Sequence, residues 1–185
     1  MGTLSHLKPP QRRAETPPLG QILHAARARP RWAGTPIPRD TLEQLHALLS
    51  VGPSMVDASP TQVLFLTSRE AKARLAPYLG RGAGAKTPAF GIVGYDVDFA
   101  EQLVDFLPHV AGAPSCFDRP EVVRQTAIRN GTLQGAYLIV AARTLGLEAS
   151  PLTDFDPQAV SSEFFRGGRV RATFVCGLGF PKPSD

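Results

Sequence analysis

The chain has 185 residues and a mass of 19.8 kDa, about one ordinary domain. With 43% apolar and 19% charged residues it can close a core, which excludes disorder throughout. Seventeen glycines without a period and two cysteines exclude collagen-like and disulfide-stapled classes, and the absence of any apolar run of about 18 residues excludes a membrane-spanning helix.

The first 17 residues, with Pro9, Pro10 and Pro17, lack hydrophobic periodicity and read as an arm ahead of a single domain spanning 18–185. Lys8, Arg12 and Arg13 are followed by prolines and polar residues, so a secretory signal is not expected and a cytoplasmic location is. Leu19, Ile22, Leu23 and Ala26 recur at helical spacing up to Pro30, and Pro38 to Ser50 is a clearer helix with Leu42, Leu45, Leu48 and Leu49 on one face. Gln62 to Thr67 reads as a strand, Ser68 caps a helix towards Leu79, and Ala89 to Tyr95 is a second strand. Asp98 to Leu107 reads as an amphipathic helix with Phe99, Leu103 and Phe106 inward.

The longest element comes next. Asp118, Arg119, Pro120 and Glu121 match an N-cap, an early-turn proline and a glutamate at N3, and no breaker follows until Gly146. From Leu133 to Leu145 this helix is apolar nearly all round, so burial on every side is expected. Gly131 and Gly135 offer close approach to another backbone, and a homodimer is expected along this helix. Asp156-Pro157 opens a last helix through Phe165, and Val170 to Phe180 is a final strand. Helices around three or so strands, mostly non-adjacent in sequence, define an α+β fold: a central sheet wrapped by helices.

Net charge is +4, and Arg12, Arg13, Arg27, Arg29, Arg31 and Arg39 concentrate the excess in the first 40 residues. That pattern fits a solvated basic arm, a small phosphorylated ligand or nucleic acid. No zinc-finger spacing, ribonucleoprotein motif or aromatic-interleaved basic stripe accompanies it, so nucleic acid is not expected. The glycine-rich run 80–84 follows a helix and precedes a strand, the reverse of a dinucleotide fingerprint. His6, His24, His46 and His109 lack metal-ligand spacing, and Cys116 and Cys176 lie 60 residues apart without a CxxC, so no metal and reduced thiols are expected.

Several segments, in this order, carry a resemblance: TPIPRDTLEQLHALLSVGPS (35–54), ASPTQVLF (58–65), AKT (85–87), TAIRNGTLQGAYLIVAARTLGLEASPL (126–152), FDPQAVSSEFF (155–165) and GLGF (177–180). From about Ala26 to Phe180 the chain resembles the nitroreductase superfamily, and within it the branch of malonic semialdehyde (3-hydroxypropionate dehydrogenase-like) reductases. The resemblance implies an α+β homodimer with a long central helix at its interface. It also implies FMN bound between subunits and hydride passing from NAD(P)H to a small acceptor: a semialdehyde, a nitro compound or a quinone. Arg27, Arg29 and Arg31 stand in the stretch that grips the FMN phosphate, where arginine neutralises a dianion bidentately. Lys86 falls where a lysine supports the reduced pyrimidine. Pro53 and Ser54, after Gly52, match a loop lent to the partner's flavin, and Thr153-Asp154 falls beside flavin N5.

Four features depart from the family pattern. Asp57 stands for an asparagine, Ala83 for another asparagine, Asp154 for a glycine, and the chain stops at Asp185, before the family's C-terminal basic residues. A carboxylate about 5 Å from a reduced ring costs about 3 kcal/mol at an effective dielectric of about 20. Two readings therefore stand side by side. One is an FMN-dependent oxidoreductase without an assigned side-chain acid or base. The other is a flavin-free paralogue on the same dimeric scaffold, a binding protein or an enzyme of another reaction class using Asp57 and Asp154.

Overall fold

The computed structural model describes residues 32–52, 61–80, 86–102, 117 and 119–182, together with Gly20 and Ile22. In chain order these form α1 (Arg39–Ser50), β1 (Thr61–Leu66), α2 (Arg69–Leu75) with a 3-10 turn at Ala76–Tyr78, and β2 (Ala89–Asp96). A 3-10 turn at Phe99–Gln102, α3 (Pro120–Thr144), β3 (Glu148–Leu152), α4 (Pro157–Phe164) and β4 (Val170–Gly179) follow. The strands make one sheet in the order β1-β2-β4-β3 with every neighbouring pair antiparallel. The fold is α+β, as expected. No helix among the described residues is long and apolar enough to cross a membrane.

Strand alternation divides the interior into two layers. Ala89 and Val93 of β2 meet Leu42, Leu45 and Leu49 of α1 and Leu138, Ala141 and Ala142 of α3. Phe90 and Ile92 meet Leu75 of α2 and Val160 of α4 on the opposite face. Ser68 caps α2 by accepting from the Ala71 N–H at 3.1 Å, and Asp156 caps α4 by accepting from the N–H groups of Gln158 and Ala159 at 3.0 Å each.

A bulge in β4 sets how α3 crosses the sheet. Val93 pairs with Phe174 and Gly94 with Ala172, which leaves Thr173 without a partner on β2. The extra residue turns two consecutive side chains, Thr173 and Phe174, towards α3. A Cβ on Gly131 would lie 2.8 Å from Thr173 Cγ2, and one on Gly135 would lie 2.9 Å from Phe174 Cγ. The close approach that these glycines permit is therefore to the chain's own sheet, which corrects the expectation that they serve a second subunit's backbone.

Other expectations shift in detail. α3 begins one residue late: Arg119 is the N-cap, without a side-chain hydrogen bond, and Pro120 takes N1. Within the single chain one side of the helix stays open, with Leu133 49% exposed and Ala136 also exposed. It does stop where expected, at Gly146 with φ +76° in the left-handed region that closes helices. β3 was not expected at all. Of the Asp98–Leu107 helix only the 3-10 turn at Phe99–Gln102 falls within the described residues, with Phe99 buried against Phe117.

Cys176 is fully buried between β4 and α3, and burial pushes its thiol up to about 12. A thiol held neutral in the fold favours the folded state below the unfolded thiol's ordinary value, near 9.0. Above that the unfolded chain ionises first. Stability should then fall by up to about 1.4 kcal/mol per pH unit until the folded value is reached. Denaturant melts of the wild type above pH 9 should show this slope, and Cys176→Ala should lack it.

Candidate functional site

Three segments carry the candidate residues and the groups that hold them. After α2 the chain runs through a short ladder with the turn that follows β3: Leu79 bridges Phe155, Gly80 N–H donates to Asp154 O at 2.8 Å, and Asp156 N–H donates to Tyr78 O at 2.9 Å. Gly80 leaves room beside this ladder for a side chain. A Cβ there would fall on the carboxylate of Asp154, which rests against the bare Gly80 backbone. Asp154 and Thr153 are both exposed, and the Asp154 N–H makes no backbone hydrogen bond among the described residues.

The second segment is 86–88. Lys72 Nζ donates to the carbonyls of Thr87 and Pro88 at 3.1 and 3.0 Å, which fixes the strand entry. Lys86, one residue earlier, is exposed and has no ion pair among the described residues. The two lysines thus differ: Lys72 is spent on the backbone, and Lys86 has no ion pair among the described residues.

The third segment starts at Trp32, which bridges Pro181, while Ala33 N–H donates to Phe180 O at 2.9 Å. Gly177 and Gly179, two apart and so on one face of β4, make room for it. A Cβ on Gly179 would lie 2.7 Å from Trp32 Cε3 and 2.7 Å from Pro88 Cγ, and one on Gly177 would lie 3.1 Å from Thr87 Cγ2. The chain immediately after Arg31 is therefore pinned beside the segment that begins with Lys86.

Of the sequence-derived candidates, Lys86, Thr153 and Asp154 are described. Arg27, Arg29, Arg31, Pro53, Ser54, Asp57 and Ala83 lie outside the described residues. Sequence reasoning missed Gly80, Lys72 and Trp32 as residues that shape the site. The i, i+2 glycines of GLGF were the signal available for the face on which Trp32 sits.

Among the described residues, Lys86 is an exposed cation without an ion pair, the Asp154 N–H has no backbone partner, and the Asp154 carboxylate lies against Gly80.

The fold is that of nitroreductase crystal structures. A nitroreductase of Bacillus subtilis superposes with a TM-score of 0.78 at 17% identity, covering 89% of this chain and 91% of the other. A nitroreductase of Exiguobacterium sibiricum, described in complex with FMN, superposes with a TM-score of 0.75 at 17% identity over 89% and 90%. No protein-family model matches the sequence, but sequence relatives are near. A protein of Cupriavidus pinatubonensis (strain JMP 134 / LMG 1197), provisionally named NADH dehydrogenase/NAD(P)H nitroreductase, is 42% identical over 89% of this chain and 87% of its own length. A protein of Stenotrophomonas maltophilia (strain K279a) with the same provisional name is 42% identical over 90% and 86%. The chain belongs to the nitroreductase family.

Proposed function

We propose that the chain is an FMN-dependent NAD(P)H oxidoreductase that works as a homodimer on a small acceptor. The observation that carries this reading is the 42% identity, over nine tenths of the chain, to proteins named as NAD(P)H nitroreductases. Bound FMN supplies the two-electron chemistry between the nicotinamide and the acceptor, as cofactors generally do. The chain supplies binding and charge. Arg27, Arg29 and Arg31, in the stretch that ends at Trp32, hold the phosphate. Lys86 offsets negative charge on the reduced ring, and the Asp154 N–H is presented to the ring edge. Asp57, with Pro53 and Ser54, belongs to the loop that reaches the partner's site. The acceptor is a malonic-semialdehyde-like aldehyde, a nitro compound or a quinone, and residues 18–185 act as one domain behind the 1–17 arm.

The exposed apolar residues support the dimer. Leu133 at 49%, Leu48 at 37% and Val51 at 75% are the large hydrophobic side chains left open among the described residues. Gly52, beside Val51, packs on Gln134 and Tyr137 of α3, so the end of α1 and the middle of α3 share one surface. Covering it with a second copy removes the exposure.

The purified protein should be yellow, release FMN on denaturation, and oxidise NADH or NADPH when a quinone or nitro acceptor is added. A colourless protein that takes up no FMN in a calorimetric titration would overturn the reading in favour of a flavin-free paralogue. The position of Asp154 adds a finer expectation. Gly80→Ala will push the carboxylate off the backbone it rests on and weaken FMN binding about fivefold to tenfold, since solvent screening reduces the repulsion to about 1 kcal/mol. Gly80→Ala with Asp154→Gly should recover wild-type affinity, measured by flavin fluorescence quenching.

A further inference from the structure

β3 pairs only with Val175–Gly179, so among the described residues the first half of β4 has no strand on that side. A cavity of about 570 Å³ opens there between the start of α3 and the start of α4, a size typical of small-ligand pockets. Its lining includes Tyr95, Arg124, Gln158, Ser161, Arg171 and Ala172. Two of these are cations, and no carboxylate lines the cavity among the described residues.

What distinguishes this pair is that two arginines without an ion pair line one cleft. Arg39 is paired with Glu43, Arg74 with Glu163, and Arg169 with Asp96, Asp98 and Glu101. Arg124 and Arg171 have no such partner among the described residues. The nearest acids in sequence are already engaged. Asp156 caps α4, Glu121 accepts from Gln125 at 2.9 Å, and the acids at 96, 98 and 101 surround Arg169. Two guanidiniums in one cleft without a carboxylate make it positive, and the planar fork of arginine suits phosphate and carboxylate oxygens.

We propose that this cleft is an oxyanion-binding site, in which Arg124 and Arg171 together clasp the phosphate or carboxylate group of a small molecule. Its residues are separate from those assigned to the flavin, so the inference goes beyond the oxidoreductase reading and stands or falls independently of it. Arg124 comes from α3 and Arg171 from β4, two different elements of the lining. A shared anion therefore couples them, and loss of one guanidinium weakens the hold of the other.

The test is arginine modification by phenylglyoxal, followed by peptide mass spectrometry on the full chain, with and without saturating FMN. Inorganic phosphate is the first probe, malonate the second, and sodium chloride at matched ionic strength the control. Phosphate or malonate should slow modification of Arg124 and Arg171 by at least about fivefold at several times its Kd, while exposed Arg129 on the same helix is unchanged. The probe that protects at the lower concentration identifies the headgroup. Arg171→Gln should abolish protection at Arg124, and the effect should be the same whether or not FMN is present. Protection at Arg124 and Arg171 no greater than at Arg129, or protection at Arg124 that survives Arg171→Gln, overturns the proposal.

Discussion

Gly135→Leu is expected to destabilise the domain from within and not by parting two subunits. The site has no room for a side chain, because even a Cβ would lie 2.9 Å from Phe174 Cγ and 3.1 Å from Cδ1. Gly135 itself is buried on α3, so the added leucine must either lift the helix or drive the ring aside. Overpacking of this kind costs about 1–3 kcal/mol and sometimes more, which in a chain of this size lowers Tm by about 5–10 °C. The mechanism has its own signature. Phe174→Ala removes the clashing ring, so the double variant should be more stable than the sum of the two single losses, by about 1 kcal/mol or more. If Gly135 instead met a second subunit, Phe174→Ala would give no rescue.

Lys86→Met should have the largest effect on the flavin. The side chain is exposed, and Lys72 already holds the neighbouring carbonyls, so removing the Lys86 charge leaves the local backbone in place. A hydrogen bond to a charged group contributes about 1.5–3 kcal/mol, and solvent exposure favours the lower end. The loss falls mainly on the reduced, more negative flavin. Oxidised FMN should therefore bind nearly as in the wild type, while reduced FMN binds about tenfold more weakly. The midpoint potential should drop by about 30 mV, since 1.4 kcal/mol corresponds to that shift for two electrons. A spectroelectrochemical titration reads this directly. Lys86→Arg should retain the wild-type potential, whereas equal weakening of both redox forms would show that Lys86 holds the loop and not the charge.

The elements that were legible in the sequence are those whose burial is periodic. Leu42, Leu45 and Leu49 line the buried side of α1, and α3 announced itself by length and by the absence of breakers. β3 was missed because Glu148-Ala-Ser-Pro-Leu152 is short, carries a charge and contains a proline. Pro151 is tolerable because β3 is an edge strand, which pairs only with β4. Periodicity cannot reveal that kind of strand. Gly131 and Gly135 were legible as a place of close approach, yet the identity of the approaching group depended on a bulge 40 residues further along. That is a tertiary fact with no local trace. The site divides similarly. Lys86 and Thr153-Asp154 stand out by resemblance, but the resting place of the Asp154 carboxylate is decided by the lack of a side chain at Gly80, a residue distant in sequence.

The hydroxyl of Ser161 donates to Pro157 O and accepts from the N–H of Ala172 at 2.8 Å, on the part of β4 that β3 leaves bare. An open strand edge with a free N–H is a template on which another extended chain can grow. Ser161 occupies that N–H with a side chain from a helix, which cannot propagate pairing. The hydroxyl therefore acts as a stopper against edge-to-edge polymerisation. Its removal should leave the buried Ala172 N–H unpaired, at a cost of about 1–3 kcal/mol, and shorten the time a concentrated solution stays clear.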